Sequence, residues 1–306
     1  MRPVHALVPD PVILDALGEL PEGVTASCWD GTGQPPEQVA DTTFWVPPFL
    51  SARPGPGAVG AMPRLRVVQL MTAGADAFAG RLPDGVTLCD ARGVHSSATA
   101  EWVVAAVLAS LRCFPRFVLA QAERRWDRVV TDELAGSRVL IVGAGDIGEH
   151  IARRLEPFEV TLTRVARRAR PGVYAVDRLP DLLGEADVVV LIVPLTEATT
   201  GMVDARFLAR MHDGALLVNA ARGPVVDTDA LLAELSAGRL RAALDVTDPE
   251  PLPADHPLWT APGLLLTPHT GGAVPGFPRR AQELVRAQLA RHVADLPLQN
   301  VVVNGY

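Results

Sequence analysis

Short apolar runs that end in small or polar residues set the rhythm of this chain. In the first ninety-odd residues, Val4–Val8, Thr42–Val46, Leu65–Met71 and Val86–Cys89 have the β-branched and aromatic content of strands. Pro11–Leu17 reads as a helix with proline in its first turn, and the Pro- and Gly-rich Ser51–Gly60 as a loop. His95–Arg112 keeps a helical pattern over a longer span, with Ser96, Ser97 or Thr99 as its cap and Glu101 near its start. Arg124–Ser137 reads as a linker. Beyond it, Val139–Val142, Val160–Val165, Asp187–Val193, Ala215–Ala220, Leu240–Val246 and Leu264–Leu266 read as further strands. Continuous apolar runs mark strands buried on both faces. Strands alternating with helical segments predict parallel sheets covered by helices, so the expected class is α/β, with two doubly wound domains.

One strand carries a chemical signal. Val139-Leu140-Ile141-Val142 runs into Gly143-Ala144-Gly145-Asp146-Ile147-Gly148 and then into the helix-compatible Glu149–Leu155. In this G-x-G-x-x-G spacing Gly143 allows a tight turn, Gly145 lets a pyrophosphate approach, and Gly148 lets helix and strand pack closely. The N–H groups at the helix start, around Asp146 and Ile147, face the phosphate charge. Strand before and helix after make this a dinucleotide site. An NAD-specific site has an acid roughly 20 positions beyond the glycines. Here that window holds Ala166, Arg167 and Arg168, with Arg170 just beyond and no carboxylate. Guanidinium groups suit a 2′-phosphate by charge and by bidentate geometry, which favours NADP as the cofactor over NAD. Because all 28 basic residues are arginine, each one carries less weight than it would elsewhere.

Composition narrows the function classes. A length of 306 residues leaves room for two domains, and 48% hydrophobic with 21% charged residues fits a soluble protein. A net charge of −7 and the lack of a long basic run argue against nucleic acid as a partner. The longest apolar run, Val103–Leu111, is too short to cross a bilayer, and the N-terminus has no signal-peptide pattern, so no membrane partner is expected. The scattered Cys28, Cys89 and Cys113 fit a reducing cytoplasm, and the dispersed histidines lack metal-ligand spacing. The apolar surplus of the His95–Arg112 helix exceeds one buried stripe and predicts a face against a second subunit, hence a homodimer.

The strand ends hold the remaining chemistry, since ligands of open parallel sheets bind at their carboxyl ends. Ala215–Ala220 is followed by Arg222, Leu240–Val246 by Asp248-Pro249-Glu250, and Leu264–Leu266 by Thr267-Pro268-His269. Three such residues from successive strands of one sheet would converge on one crevice. Upstream, Ala73 and Gly74 follow a strand and either hold a carboxylate through their N–H groups or form a plain turn. Trp45 either walls a small pocket or packs in the core. His256, within Asp-His-Pro, reads as a structural turn residue.

Leu191–Thr196, Asn219–Asp227, Asp245–Pro251, Thr267–His269 and the closing Asn300–Asn304 resemble, in order, the signatures of the D-isomer-specific 2-hydroxyacid dehydrogenase family. Trp45–Pro48 and the arginines near 167 are most similar to its NADPH-dependent glyoxylate/hydroxypyruvate reductase branch. The resemblance implies a Rossmann nucleotide domain, residues 96–274, inserted in a smaller flavodoxin-like substrate-binding domain, residues 1–95 and 275–306. It implies an NAD(P)-dependent enzyme that moves a hydride between the cofactor and a small 2-oxo or D-2-hydroxy acid. Arg222 would clamp the carboxylate and polarise the oxo group, His269 would exchange the proton, and Glu250 would orient the imidazole and favour its cation. Asp245 resembles the residue that orients the nicotinamide, Pro194 and Thr199 nearby cofactor contacts, and Trp45, Ala73 and Gly74 substrate contacts. A nucleotide-sensing protein is the second reading, because corepressors of this superfamily keep the same three residues. Turnover of a 2-oxo acid separates the two.

Overall fold

The computed structural model describes residues 3–49 and 55–303 and falls into two compact units, Met1–His95 with Pro275–Tyr306, and Ser96–Val274. Residues 51–54 of the expected loop, and Asn304, lie outside the described residues.

The first unit carries five parallel strands, β1 (Val4–Val8), β2 (Val24–Cys28), β3 (Thr42–Trp45), β4 (Val67–Gln69) and β5 (Thr87–Cys89), in the order β2-β1-β3-β4-β5. That is the flavodoxin-like order. Helix α1 (Pro11–Leu17) starts where expected, because the Asp10 carboxylate accepts from the Ile13 N–H at 2.8 Å and Pro11 needs no partner. In the central strand β3, alternation sends Phe44 to one face, beside Val8 and Met71, and Trp45 to the other, beside Met62 and Phe78. The C-terminal helix, Phe277–Val293, lays Ala281, Val285 and Leu289 on the Phe44 face. Its buried Gln288 donates to the Gln69 side-chain oxygen at 2.8 Å. Burial and the neighbouring Asp90 push the Cys89 thiol up to about 12, which leaves it unreactive. Two expectations need correction. Pro56–Ala61 forms a 3-10 helix that buries Val59 where a loop was expected, since proline at its first position presets the turn. Strand β2 escaped notice because Val-Thr-Ala-Ser-Cys is a half-exposed edge strand with little apolar content.

The second unit opens with α2 (Ser96–Leu111) and α3 (Phe114–Ala122). It continues through β6 (Arg138–Val142), α4 (Asp146–Leu155), β7 (Thr161–Ala166), β8 (Tyr174–Ala175), α5 (Leu179–Leu182) and β9 (Val188–Leu191). It closes with α6 (Ala205–Arg210), β10 (Leu216–Asn219), α7 (Thr228–Ser236), β11 (Arg241–Leu244) and β12 (Leu264–Leu266). The seven strands are parallel, in the order β12-β11-β10-β9-β6-β7-β8. Counted from β6 this is the doubly wound dinucleotide-binding order with one strand added. Both faces are covered. Val139 and Ile141 meet Val103, Val107 and Ile151 of α2 and α4, while Leu140 and Val142 share a core with Leu208, Leu231 and Leu235 of α6 and α7.

Ser96 and Ser97 lie inside the first turn of α2, and their hydroxyls bond α4 instead of capping their own helix. Most of the apolar surplus of α2 is spent inside the unit, in the core shared with α4. A group of exposed apolar residues sits further on, at Phe114, Val118 and Leu119 of α3 and at Trp126 and Val130. No single described helix is long and apolar enough to cross a membrane.

Candidate active site

The glycine turn lies at the switch point of the second sheet, where β6 separates β7 from β9. Gly143 has φ 117°, and a Cβ there would strike the Ile192 carbonyl beyond β9. A Cβ at Gly148 would strike the Gly143 carbonyl, so helix α4 can sit this close only with glycine. At Gly145 a Cβ would stand in open space, and no side chain caps the helix there. The N–H groups of the first turn of α4, from Asp146 and Ile147 onward, therefore face an open cradle with the chemistry of a phosphate receptor. Its two acids are drawn aside. Asp146 accepts from the Ser96 hydroxyl, and Glu149 pairs with Arg164 at 2.6 Å and with Arg170 at 3.8 Å.

Arg167 and Arg168 are exposed just past β7, with no ion pair among the described residues. Arg170, which the spacing placed beyond the key window, is the arginine bound to the glycine turn, donating to the Ala144 carbonyl. The turn Arg170-Pro171-Gly172-Val173 folds it back. Thr199 turns its hydroxyl inward, donating to the Pro194 carbonyl at 2.6 Å and accepting from the Thr196 N–H at 2.9 Å. It braces the loop after β9.

His269 and Glu250 meet, with Nδ1 and Oε1 2.6 Å apart and both side chains partly open to solvent. The donor is the ring N–H, which leaves Nε2 for a reacting partner. His269 has φ 53°, an unusual backbone for this residue, and Asp245 holds it there. The Asp245 carbonyl accepts the His269 N–H at 2.7 Å. Its buried carboxylate accepts from Thr267 Oγ1 at 2.6 Å and from the N–H groups of Thr270 and Gly271 at 2.8 Å. Sequence reasoning missed this scaffold role, although Thr-Pro-His-Thr-Gly-Gly holds the donors a buried carboxylate needs. Arg222 stands after β10 on an equally fixed turn. Asn219 bonds both the Arg222 carbonyl and the Ala221 N–H, and Gly223 presses so closely on Thr247 that a Cβ would overlap its carbonyl. His256 accepts from the Leu258 N–H at 3.2 Å and caps a 3-10 turn.

In the first unit the turn after β4 is closed by Thr72 Oγ1, which donates to the Gly74 carbonyl at 2.7 Å. Among the described residues the Ala73 and Gly74 N–H groups have no acceptor, so the turn can receive an anion. Of the two readings of Trp45 the structure shows the core position: the alternation of β3 buries it completely, edge-on to Phe78.

The sequence profile of the NAD-binding domain of the D-isomer specific 2-hydroxyacid dehydrogenases matches residues 104–271. The chain belongs to this family. A human glyoxylate reductase/hydroxypyruvate reductase is 35% identical over 232 residues, 71% of this chain and 70% of its own. A Xanthobacter autotrophicus D-isomer specific 2-hydroxyacid dehydrogenase solved with NADPH superposes with a TM-score of 0.86, 31% identity and 99% of each chain covered. An NADPH-dependent glyoxylate/hydroxypyruvate reductase from Sinorhizobium meliloti, solved with NADP and sulfate, gives 0.86 at 27% identity. It covers 99% of this chain and 100% of its own. As a 2-hydroxyacid dehydrogenase family member the chain is an oxidoreductase, and the corepressor reading is not favoured.

Proposed function

We propose that this dehydrogenase reduces a small 2-oxo acid of the glyoxylate or hydroxypyruvate kind to the D-2-hydroxy acid, with NADPH preferred over NADH. The observation that carries the reading is the His269–Glu250 pair at 2.6 Å, held on the same sheet as Arg222 and the glycine turn. Gly143, Gly145, Asp146, Ile147 and Gly148 would hold the pyrophosphate through backbone N–H groups. Pro194 and Thr199 shape the loop beside them, and Asp245, with one carboxylate lone pair unused, would take the nicotinamide amide. When bound, the nicotinamide supplies or accepts the hydride. Arg222 binds the carboxylate and draws charge onto the oxo oxygen. His269 delivers the proton from Nε2 as that oxygen becomes an alkoxide, and Glu250 keeps the ring oriented and supports its charge. The Ala73–Gly74 turn of the first unit has N–H groups of the kind that hold a carboxylate. On this reading Ser96–Val274 is the nucleotide domain, and Met1–His95 with Pro275–Tyr306 the substrate domain.

The test is a panel of 2-oxo acids assayed with each cofactor. Turnover should be higher in kcat/KM with NADPH. Replacing Arg167 and Arg168 with glutamine should raise KM for NADPH by ~10-fold or more and leave NADH kinetics nearly unchanged. A wild-type preference for NADH would remove the arginines from this role.

The protein acts as a cytoplasmic homodimer in this proposal, without nucleic-acid or membrane partners. Three unpaired cysteines support the compartment. For the dimer, Trp126 is 96% and Val130 100% exposed beside the apolar face of α3. In this segment Asp127 pairs with Arg116 at 2.7 Å and Arg125 at 2.8 Å, which hold its carboxyl down to about 2. Light scattering should give a dimer for the wild type and a monomer for Trp126→Arg/Val130→Arg. An unchanged mass in the variant would move the interface elsewhere.

A further inference from the structure

The chain passes from the first unit to the second between His95 and Ser96. These two residues are buried, and each makes a hydrogen bond inside its own unit. His95 Nε2 lies 2.8 Å from the Met71 carbonyl, so Nε2 carries the proton and donates. Met71 immediately precedes the Thr72–Gly74 turn, whose Thr72 carbonyl in turn accepts the Ala91 N–H at 2.8 Å. The imidazole plane is set by rings on both sides, Phe49 at 5.8 Å and 9° and Phe277 at 4.9 Å and 22°. Just before it, the Val94 carbonyl is held by Arg280 Nε at 2.6 Å. Ser96 donates to the Asp146 carboxylate, at the head of the phosphate cradle, and Ser97 accepts from Arg154 Nη2 at 2.7 Å.

A buried histidine satisfied by a carbonyl is ordinarily a packing residue. Its acceptor and its sequence neighbour make this one different. Two consecutive residues at the crossing each bond the end of a turn that can receive an anion, one in each unit. We infer that His95 and Ser96 are a positioning pair for the reaction, His95 setting the carboxylate turn and Ser96 the dinucleotide turn. Because they share one peptide bond, occupancy of either turn is linked to the affinity of the other. This rests on the functional reading above. Linkage of this kind is reciprocal: NADPH tightens a substrate analogue by the same factor as the analogue tightens NADPH.

The experiment uses oxamate as the carboxylate probe and NADPH as the nucleotide, in titrations of the wild type, His95→Phe, Ser96→Ala and Ser96→Thr. His95→Phe keeps the ring stack and loses the donor, so oxamate affinity and KM for the oxo acid should worsen by ~10-fold, with kcat within ~2-fold. A merely structural defect would lower kcat by reducing the folded fraction and leave KM unchanged. Ser96→Ala should weaken NADPH by ~5-fold, and Ser96→Thr should restore it. In both His95→Phe and Ser96→Ala the factor by which NADPH tightens oxamate should fall towards one. An unchanged factor in both variants overturns the inference. Should the wild type neither bind NADPH nor reduce any oxo acid, the functional reading is what fails. Amide exchange in the ligand-free variants then decides the positioning. Faster exchange at residues 72–74 in His95→Phe and at 143–148 in Ser96→Ala upholds it, and unchanged exchange overturns it.

Discussion

Arg222→Lys is expected to lose at least ~100-fold in kcat/KM for a 2-oxo acid although it keeps the positive charge, the scale of losing one donor aimed at developing charge. The turn that carries Arg222 leaves little freedom for compensation. Asn219 bonds the Arg222 carbonyl at 2.9 Å and the Ala221 N–H at 3.0 Å, while Gly223 rests on the Thr247 backbone. The guanidinium, whose Nη1 donates to the Ala221 carbonyl at 2.8 Å, would in the proposed reaction present parallel N–H donors to the substrate's carboxylate. An ammonium is a point charge on a flexible stem, so it can meet one of those oxygens at a time. The loss should appear in kcat as well as KM, since charge on the oxo oxygen grows towards the transition state. Equal melting temperatures for wild type and variant would show that the fold is intact. Near-wild-type turnover by Arg222→Lys would remove Arg222 from the mechanism.

The parts of this fold that could be read from the chain are those whose burial is uniform. Val139–Val142 and Val188–Leu191 are apolar throughout because helices cover both faces of their sheet. Where burial is partial the pattern weakens. Edge strand β2 carries Thr25 and Ser27 facing His5, and the two-residue β8 is too short to leave a period. Helix α3 was hidden because its apolar residues face outward. The catalytic candidates were legible for another reason. Arg222, Glu250 and His269 each follow a strand of known direction, and a parallel sheet sends all such loops to one edge. What spacing could not supply was the orientation of individual side chains. Trp45, the last residue of β3, is one residue from Phe44, and which face each takes is settled by packing on both sides of the strand. Asp245 enters the sequence reading only through the family resemblance, because its bonds to Thr267, Thr270 and Gly271 exist only once β11 and β12 are neighbours.

His269→Gln is expected to reduce both reaction directions by roughly 10²- to 10⁴-fold, the usual worth of a positioned general acid or base. Glu250→Gln tests what the carboxylate adds. Glu250 Oε1 lies 2.6 Å from Nδ1, and glutamine can accept the same hydrogen bond without supplying a charge. Exchanging a charge-assisted bond for a neutral one on the ring that carries the reacting proton should cost ~10-fold in kcat/KM, in both directions because one transition state serves both. The measurement is kcat/KM for a 2-oxo acid and for the matching hydroxy acid in wild type and both variants. Wild-type turnover in Glu250→Gln would mean that Glu250 orients the ring without its charge taking part.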